Sequence, residues 1–479
     1  MTDSADSRGI VLRFLAGTLE VRGLNDDDEL PGCSFDARSG SLRAPAAAYA
    51  DVVLALRARG LDFLDEARAY GELADTPPTL TLPRDYQRDA LTSWRKNRGR
   101  GVVVLPTGAG KTLVALLAIA DRRRAALVVA PTLDLVRQWH QALEQAFGAE
   151  VGLVGGGEHR VLPLTVCTYD SAWLHMQHLG ARFGLIVFDE CHHLVAESFA
   201  LSARMSLAPF RLGLTATPER DDGRDTLLTG LIGPIVYRKE IDEFEGRFLA
   251  DYDIHRIEVS LSADEAASYQ QARETYRAFI REQRIAMSTP GGFQHFIKVA
   301  ARTPEGRTAL AAWRTQRALA FSTPQKINVV ADLIHRHQGA RVLIFTDDNA
   351  TVYALARQLL VPVITHQTKV RERSALLKAF ADGSLPVLAT SRVLNEGIDV
   401  PDAQVAIIVS GTGSTREHVQ RLGRILRPRP DKRASLYELV SKDTAESFTS
   451  QRRREHVAYR PEKDAATPAW ATDEGGDPC

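Results

Sequence analysis

Two short stretches of this sequence hold residues that can handle phosphate. The first is PTGAGKT, Pro106 to Thr112, which follows the apolar run GVVVL. Gly108 and Gly110 would let backbone amides turn toward phosphate oxygens, with Thr107 and Ala109 completing the loop. Lys111 would reach the β and γ phosphates, and Thr112 would offer a hydroxyl to Mg²⁺. A helix starting at Lys111 would add its N-terminal dipole. The strict P-loop pattern asks for a glycine where Leu105 stands, so only the working part of that signature is present. The second stretch is DECHH, Asp189 to His193, which closes the apolar run Leu185 to Phe188. Asp189 would hold Mg²⁺ through water, and Glu190 would orient and deprotonate the water that attacks the γ phosphate. His192 would sense that phosphate, while His193 reads as structural. Cys191, His192 and His193 make a poor metal cluster, because consecutive residues point in different directions. Together the two stretches point to hydrolysis of a nucleoside triphosphate.

The elements that must position these groups are legible as apolar runs. Val102–Leu105, Ala126–Ala130, Leu164–Cys167, Leu185–Phe188 and Arg211–Leu214 alternate with helical segments between about residues 80 and 240. That alternation predicts a parallel sheet in an α/β domain, and both motifs fall at strand carboxyl ends, where such sheets do their chemistry. A second alternation follows over 321–448, with runs at Arg341–Phe345, Pro362–Ile364, Val387–Ala389, Val405–Val409 and Ser435–Leu439. Before the first lies a small α+β unit over residues 1–76. It has a hairpin around Gly17, a strand–turn–strand from Pro31 to Pro45 and a helix over 46–59, and Pro77-Pro78 marks a linker. Between the two alternations, 255–320 reads as a helical insert rich in arginine. The tail over 460–479 has little to bury and reads as disordered.

The bulk numbers set bounds. At 479 residues the chain is too long for one core, since a domain takes roughly 100–200 residues. Sixty basic and sixty acidic side chains cancel, so any polyanion site must be a local patch. Cys33, Cys167, Cys191 and Cys479 form no CxxC pair, which argues against zinc and a disulfide framework and fits a reducing cytoplasm. The start, MTDSADSRG, is unlike a signal peptide. No run of about 20 apolar residues exists, so no membrane span is expected.

Further motifs in the same order resemble those of superfamily 2 helicases and translocases of the DExH group. Gln87 in LPRDYQRDAL matches the adenine-reading glutamine, which implies ATP. APTLDLVRQW and CTYDS resemble motifs Ia and Ib, TAT (Thr215 to Thr217) motif III, LIFTDD motif IV, LNEGIDVP motif V and QRLGRILRP motif VI. The resemblance covers roughly residues 80–445 and implies two tandem RecA-like domains. Arg424 and Arg427 sit three apart on a helix and share a face. By the resemblance they act as arginine fingers, with Gln420 opening the same motif, once ATP draws the two halves together. Gly397 and Asp399 of motif V belong to the same seam, Asp399 near the ribose. Thr132, Arg137, Thr168, Thr346 and Thr390 are the implied contacts to one strand's backbone.

The layout narrows the resemblance to the compact XPB-type DNA repair helicases. Residues 1–76 resemble their damage-recognition domain, and the insert their thumb, with Arg277, Arg281 and Arg284 as implied DNA contacts. The family's Arg-Glu-Asp element corresponds here to Arg220-Asp221-Asp222, whose middle carboxylate is one methylene shorter. The implied protein is a monomeric 3′-to-5′ DNA motor using ATP and Mg²⁺, acting in repair on DNA junctions, with a nuclease as a separate partner. Three alternatives stay open: a duplex translocase of a restriction or defence system, an RNA helicase, and an ATP-switched scaffold that recruits a nuclease.

Overall fold

Three segments of the first half, Ala126–Ala130, Leu164–Thr168 and Leu185–Asp189, are buried at every position. Strands of a parallel sheet covered by helices on both faces have that composition. The computed structural model describes residues 9–25, 27–74, 79–216, 218, 226–239, 243, 251–287, 289, 291–391, 403–410, 433–446 and 464–465. Residues 251, 252, 370, 433, 464 and 465 are described by backbone alone. The chain divides into two compact units, residues 1–240 and 241–479.

The first unit opens with β1 (Ile10–Leu15), β2 (Thr18–Arg22), β3 (Ser34–Asp36), β4 (Ser41–Pro45), α1 (Tyr49–Ala58) and β5 (Phe63–Asp65). Their sheet has the order β3-β4-β2-β1-β5. The strand β5, parallel to β1, is too short to announce itself in sequence. There follow α2 (Asp85–Lys96), β6 (Arg100–Val104), α3 (Lys111–Arg122), β7 (Ala126–Ala130), α4 (Leu133–Phe147), β8 (Gly152–Gly155), β9 (Glu158–Arg160), β10 (Leu164–Thr168), α5 (Tyr169–Leu179), β11 (Leu185–Asp189), α6 (Glu197–Arg204), β12 (Phe210–Thr215), α7 (Leu227–Leu231) and β13 (Ile235–Arg238). The sheet order is β13-β6-β12-β11-β7-β10-β8-β9. All five expected strands are present. The hairpin β8–β9, glycine-rich and polar, and the four-residue edge strand β13 were not expected.

The N-terminal module shares a core with this sheet. Leu12, Leu19, Val21, Leu42 and Val52 pack with Ala181 and Leu207, which lead into β11 and β12. Ala69 N donates to Ala181 O at 3.0 Å, and Leu73 N to Arg123 O at 2.9 Å. The module therefore sits at the amino ends of the parallel strands, away from the carboxyl ends where the phosphate motifs lie.

The second unit holds β14 (Asp251–Val259), α8 (Ala263–Glu282), α9 (Gly292–Ala300), α10 (Pro304–Ser322), α11 (Pro324–Arg336), β15 (Val342–Phe345), α12 (Asn349–Leu359), β16 (Val363–Ile364), α13 (Val370–Asp382), β17 (Val387–Thr390), β18 (Val405–Ile408), β19 (Arg433–Ser441) and β20 (Asp464–Ala465). The order is β16-β17-β15-β18-β19-β14-β20, with every pairing parallel. Two expectations are corrected here. Residue 255 does not begin the insert, because it lies inside β14, which pairs along its length with β19. The insert is α8 to α10, and it interrupts the second α/β unit after that unit's first strand. The tail expected to be disordered contributes Asp464–Ala465, which pairs with Ile254 and His255.

Packing leaves no room at Gly180, where an added Cβ would meet Met205 O, just after α6, at 2.0 Å and Phe14 Cζ of the N-terminal module at 3.0 Å. Gly180→Ala is expected to cost about 1–3 kcal/mol by overpacking. Urea unfolding of the full chain should show a lowered midpoint, and an unchanged midpoint would contradict this packing.

Candidate active site

The loop after β6 is built for close approach. Gly108 and Gly110 hold φ of 85° and 77°, the left-handed region that glycine enters without strain. Gly110 is the N-cap of α3, so Lys111 and Thr112 open that helix and its free amides face the loop. From α2, Tyr86 Oη donates to Ala109 O at 2.9 Å, and Gln87 Nε2 lies 3.1 Å from Ala109 O and 3.3 Å from Gly110 O. Arg84 N donates to Gln87 Oε1 at 2.9 Å. Gln87, expected as the adenine reader, is here buried; its Nε2 meets the phosphate loop, while its Oε1 accepts from the start of its own helix. Lys111 Nζ donates to Leu105 O at 3.2 Å and lies 4.0 Å from Glu190 Oε1. Thr112 is exposed at the mouth of the loop.

Asp189 ends β11, one strand removed from β6 across β12. Glu190 turns the chain with φ 46° and ψ 53°, a strained conformation for a residue with a Cβ that costs on the order of 1–3 kcal/mol. Both carboxylates are buried, Asp189 7% exposed and Glu190 8%. Asp189 Oδ2 accepts from Trp139 Nε1 at 2.7 Å, and its Oδ1 from Glu190 N at 3.0 Å. Tyr169 Oη donates to Asp189 O at 2.9 Å. His192 is fully buried; its Nδ1 lies 3.1 Å from Thr215 Oγ1 and 3.5 Å from Glu190 Oε2. Burial, and then the neighbouring Glu190 charge, push the Asp189 carboxyl up to about 6. Burial also raises the Cys191 thiol well above its ordinary value, which makes it a packing residue. Sequence reasoning missed Trp139 and Tyr169. Trp139 sits in the apolar stripe of α4 with Val136 and Leu143, and only the indole N–H, which needs a partner when buried, could have marked it.

The residues present fit a phosphate with its magnesium. Thr107 Oγ1 and Glu190 Oε2 are buried without a hydrogen-bond partner, a cost that a bound polar ligand would remove. One carboxylate, one hydroxyl and phosphate oxygens are the donors Mg²⁺ prefers.

Among the described residues, those expected to grip nucleic acid fall into three groups. Thr132 and Thr168 cap α4 and α5, accepting from Leu135 N at 3.3 Å and Ser171 N at 3.1 Å, while Arg137 is exposed on α4. Thr346 and Thr390 are corrected: both are fully buried, and their hydroxyls donate to Asp348 O and Ser391 O, each at 2.9 Å. Their side chains are committed to the loops at the ends of β15 and β17, with no surface left for a phosphate. Arg277, Arg281 and Arg284 are exposed, but α8 carries Asp264, Glu265, Glu274 and Glu282 against Arg273, Arg277 and Arg281. The α9–α10 segment instead carries Lys298, Arg302, Arg307, Arg314 and Arg317 against Glu305 alone. Gly397, Asp399, Gln420, Arg424, Arg427, Arg220, Asp221 and Asp222 lie outside the described residues.

A parallel sheet whose strand feeds a glycine loop and lysine, with an acidic pair two strands away, defines a P-loop nucleoside triphosphatase. A second parallel sheet in the same chain is the architecture of superfamily 2 helicases. The helicase domain of Pyrococcus furiosus Hef shares this fold at a TM-score of 0.55 and 20% identity, over 78% of this chain and 98% of that one. Saccharomyces cerevisiae Dbp5, solved with RNA and ADP BeF3, shares it at 0.57 and 15%, over 81% and 91%.

Sequence comparison narrows the class. Residues 12–67 match the Xeroderma pigmentosum group B helicase damage recognition domain. Residues 81–220 match the res subunit of type III restriction enzymes, and residues 308–460 the ERCC3/RAD25/XPB C-terminal helicase. A relative from Sulfurisphaera tokodaii, the DNA 3'-5' translocase XPB2, is 41% identical over 78% of this chain and 84% of its own length. The DNA 3'-5' helicase XPB of Kineococcus radiotolerans is 34% identical over 78% of this chain and 62% of its own. The chain belongs to the XPB helicase family.

The buried Asp189 yields a stability prediction. Its carboxyl is raised to about 6 in the folded protein, so the folded state holds a proton more firmly than the unfolded one, and stability falls as pH rises from about 4 through 6. Asp189→Asn removes the titrating group, although its amide cannot accept from both Trp139 Nε1 and Glu190 N. The stability of the metal-free variant relative to the unsubstituted protein, read from urea unfolding, should therefore rise between pH 4 and pH 7.5. A difference that stays flat or falls with pH would contradict the burial cost.

Proposed function

We propose that this chain is an ATP-driven DNA motor of the XPB type, moving 3′ to 5′ and acting in DNA repair. The observation that carries the reading is the approach of Lys111 Nζ to Glu190 Oε1, 4.0 Å, at the carboxyl ends of β6 and β11, in a chain of the XPB family. The P-loop amides and Lys111 bind the β and γ phosphates. Asp189 and Thr112 hold Mg²⁺, which when bound neutralises charge on those phosphates. Glu190 Oε2 accepts a proton from the attacking water. His192, between Glu190 and Thr215, reports the state of the acid to the strand that leads into motif III. The roles of Arg424, Arg427, Gln420, Gly397 and Asp399 rest on the sequence alone.

The archaeal relative is named a translocase and the bacterial one a helicase. DNA is the substrate we assign, through phosphate contacts that ignore sequence. The charge excess on α9–α10 supports that segment, more than α8, as the insert's DNA-facing side. The chain carries no nuclease motif, so any cutting would fall to a partner, and the motor itself is read as monomeric. Among the described residues no helix is long and apolar enough to cross a membrane. Cys33, Cys167 and Cys191 are free thiols, which suits a motor working in a reducing cytoplasm.

Lys111→Ala and Glu190→Gln should each lower DNA-stimulated ATP hydrolysis at least about 100-fold, the scale of losing electrostatic or acid–base catalysis. ATPase activity indifferent to every nucleic acid would sink the motor. Strand displacement from 3′-tailed duplex separates a helicase from a translocase, which would only displace a triplex strand; unwinding confined to RNA would overturn the DNA assignment. For the insert, Arg307→Glu with Arg314→Glu should reduce the salt slope of duplex binding by about 0.9 for each phosphate no longer neutralised. Arg277→Glu with Arg281→Glu should reduce it less, and the reverse ranking would assign the DNA-facing side to α8.

A further inference from the structure

Within the first unit, α4 meets the surface at one end and the acidic pair further along. Its N-terminus is capped by Thr132, and Arg137 is exposed on its outer side. Trp139 lies two residues on, 2% exposed, on the opposite side of the helix. Its indole N–H reaches across to Asp189 Oδ2 at 2.7 Å. Asp189 Oδ1 takes Glu190 N at 3.0 Å. Each carboxylate oxygen has two acceptor sites, so each keeps one for a metal-bound water, in a direction set by the donor already present. The backbone donor belongs to Asp189's own turn. The indole is the donor that comes from a different element, and it is rigid: the ring has no freedom beyond two side-chain torsions, and Val136 and Leu143 of the same helix are fully buried.

We propose that Trp139 is a positioning residue that orients Asp189 for Mg²⁺ and, through α4, makes that orientation depend on what is bound at the helix N-terminus. The proposal rests on the motor reading above and specifies how DNA would regulate its ATP site. Trp139 is carried on α4, whereas the P-loop is clasped from α2, so a shift of α4 would act on Asp189 without passing through that clasp. The device thus acts on the metal and spares the nucleotide. Partners of a metal ligand typically change affinity or activity about 10–100-fold when removed.

Trp139→Phe keeps an aromatic ring and deletes the N–H. Binding of a fluorescent ATP analogue is measured in EDTA and across a Mg²⁺ titration, with and without duplex DNA. In EDTA the variant should match the unsubstituted protein within about twofold. Its Mg²⁺ midpoint should rise about tenfold, and DNA should no longer shift that midpoint. A wild-type Mg²⁺ response with a wild-type DNA shift would overturn the proposal. Should the variant fail to fold, the unsubstituted protein answers through its five tryptophans, labelled with ¹⁵N. The indole resonance that moves in Asp189→Asn identifies Trp139. That resonance must move on adding Mg²⁺ with the analogue, and again on adding DNA; a resonance that stays fixed in either step overturns the proposal. A protein whose ATPase ignores DNA altogether would instead remove the motor reading, while a DNA-stimulated enzyme indifferent to Trp139 removes this inference alone.

Discussion

Two neighbouring carboxylates are buried at the end of a strand that is buried along its whole length. This is an expensive arrangement, since burial disfavours charge and each acid disfavours the other's. The surrounding structure can be understood as what makes it tolerable. Trp139, a backbone amide and the Lys111 ammonium supply donors or positive charge from three directions. The Glu190 backbone is held in a left-handed turn. Strain and burial of this kind persist only where packing over-determines them. Here the turn follows a strand that is paired on both sides, with β12 and with β7.

The phosphate loop is treated in the same way. It hangs between β6 and α3, and α2 grips it through Tyr86 and Gln87. The N-terminal module leaves this region alone. It binds the opposite end of the sheet through Ala181 and Leu207 and through backbone bonds along residues 69–73. The module and the first parallel sheet therefore pack as one unit.

The second unit has its own constraint. Lys326 is completely buried, donating to Val409 O at 2.7 Å and paired with Glu446 at 2.6 Å, and these bonds tie α11 to the ends of β18 and β19. Arg317 of α10 is ion-paired with Asp347 after β15, and Ser441 Oγ donates to Ala320 O at 2.6 Å. The insert is thus anchored on the carboxyl side of the sheet that it interrupts.

Much of this was legible in the sequence, because parallel strands buried on both faces must be continuous apolar runs, and because phosphate loops and acidic strand ends need particular residues at particular spacing. Five of the eight strands of the sheet that carries the phosphate loop were found on those grounds, and the glycine loop and the acidic pair lie at the ends of two of them. The short or polar strands β5, β8, β9 and β13 were missed because a strand's hydrogen bonds leave no mark in side-chain type. The nine-residue β14 was missed because its partner, β19, lies far along the chain. Family motifs named Thr346 and Thr390, yet whether a hydroxyl faces a ligand or a backbone carbonyl depends on its rotamer and neighbours. The sequence by itself determined the chemistry: which groups can bind phosphate, hold a metal and take a proton. Only the tertiary structure decided which of them meet and what steadies them. Trp139 reads as one more core residue along the chain, and it becomes a partner of Asp189 because β7 and β11 pair side by side.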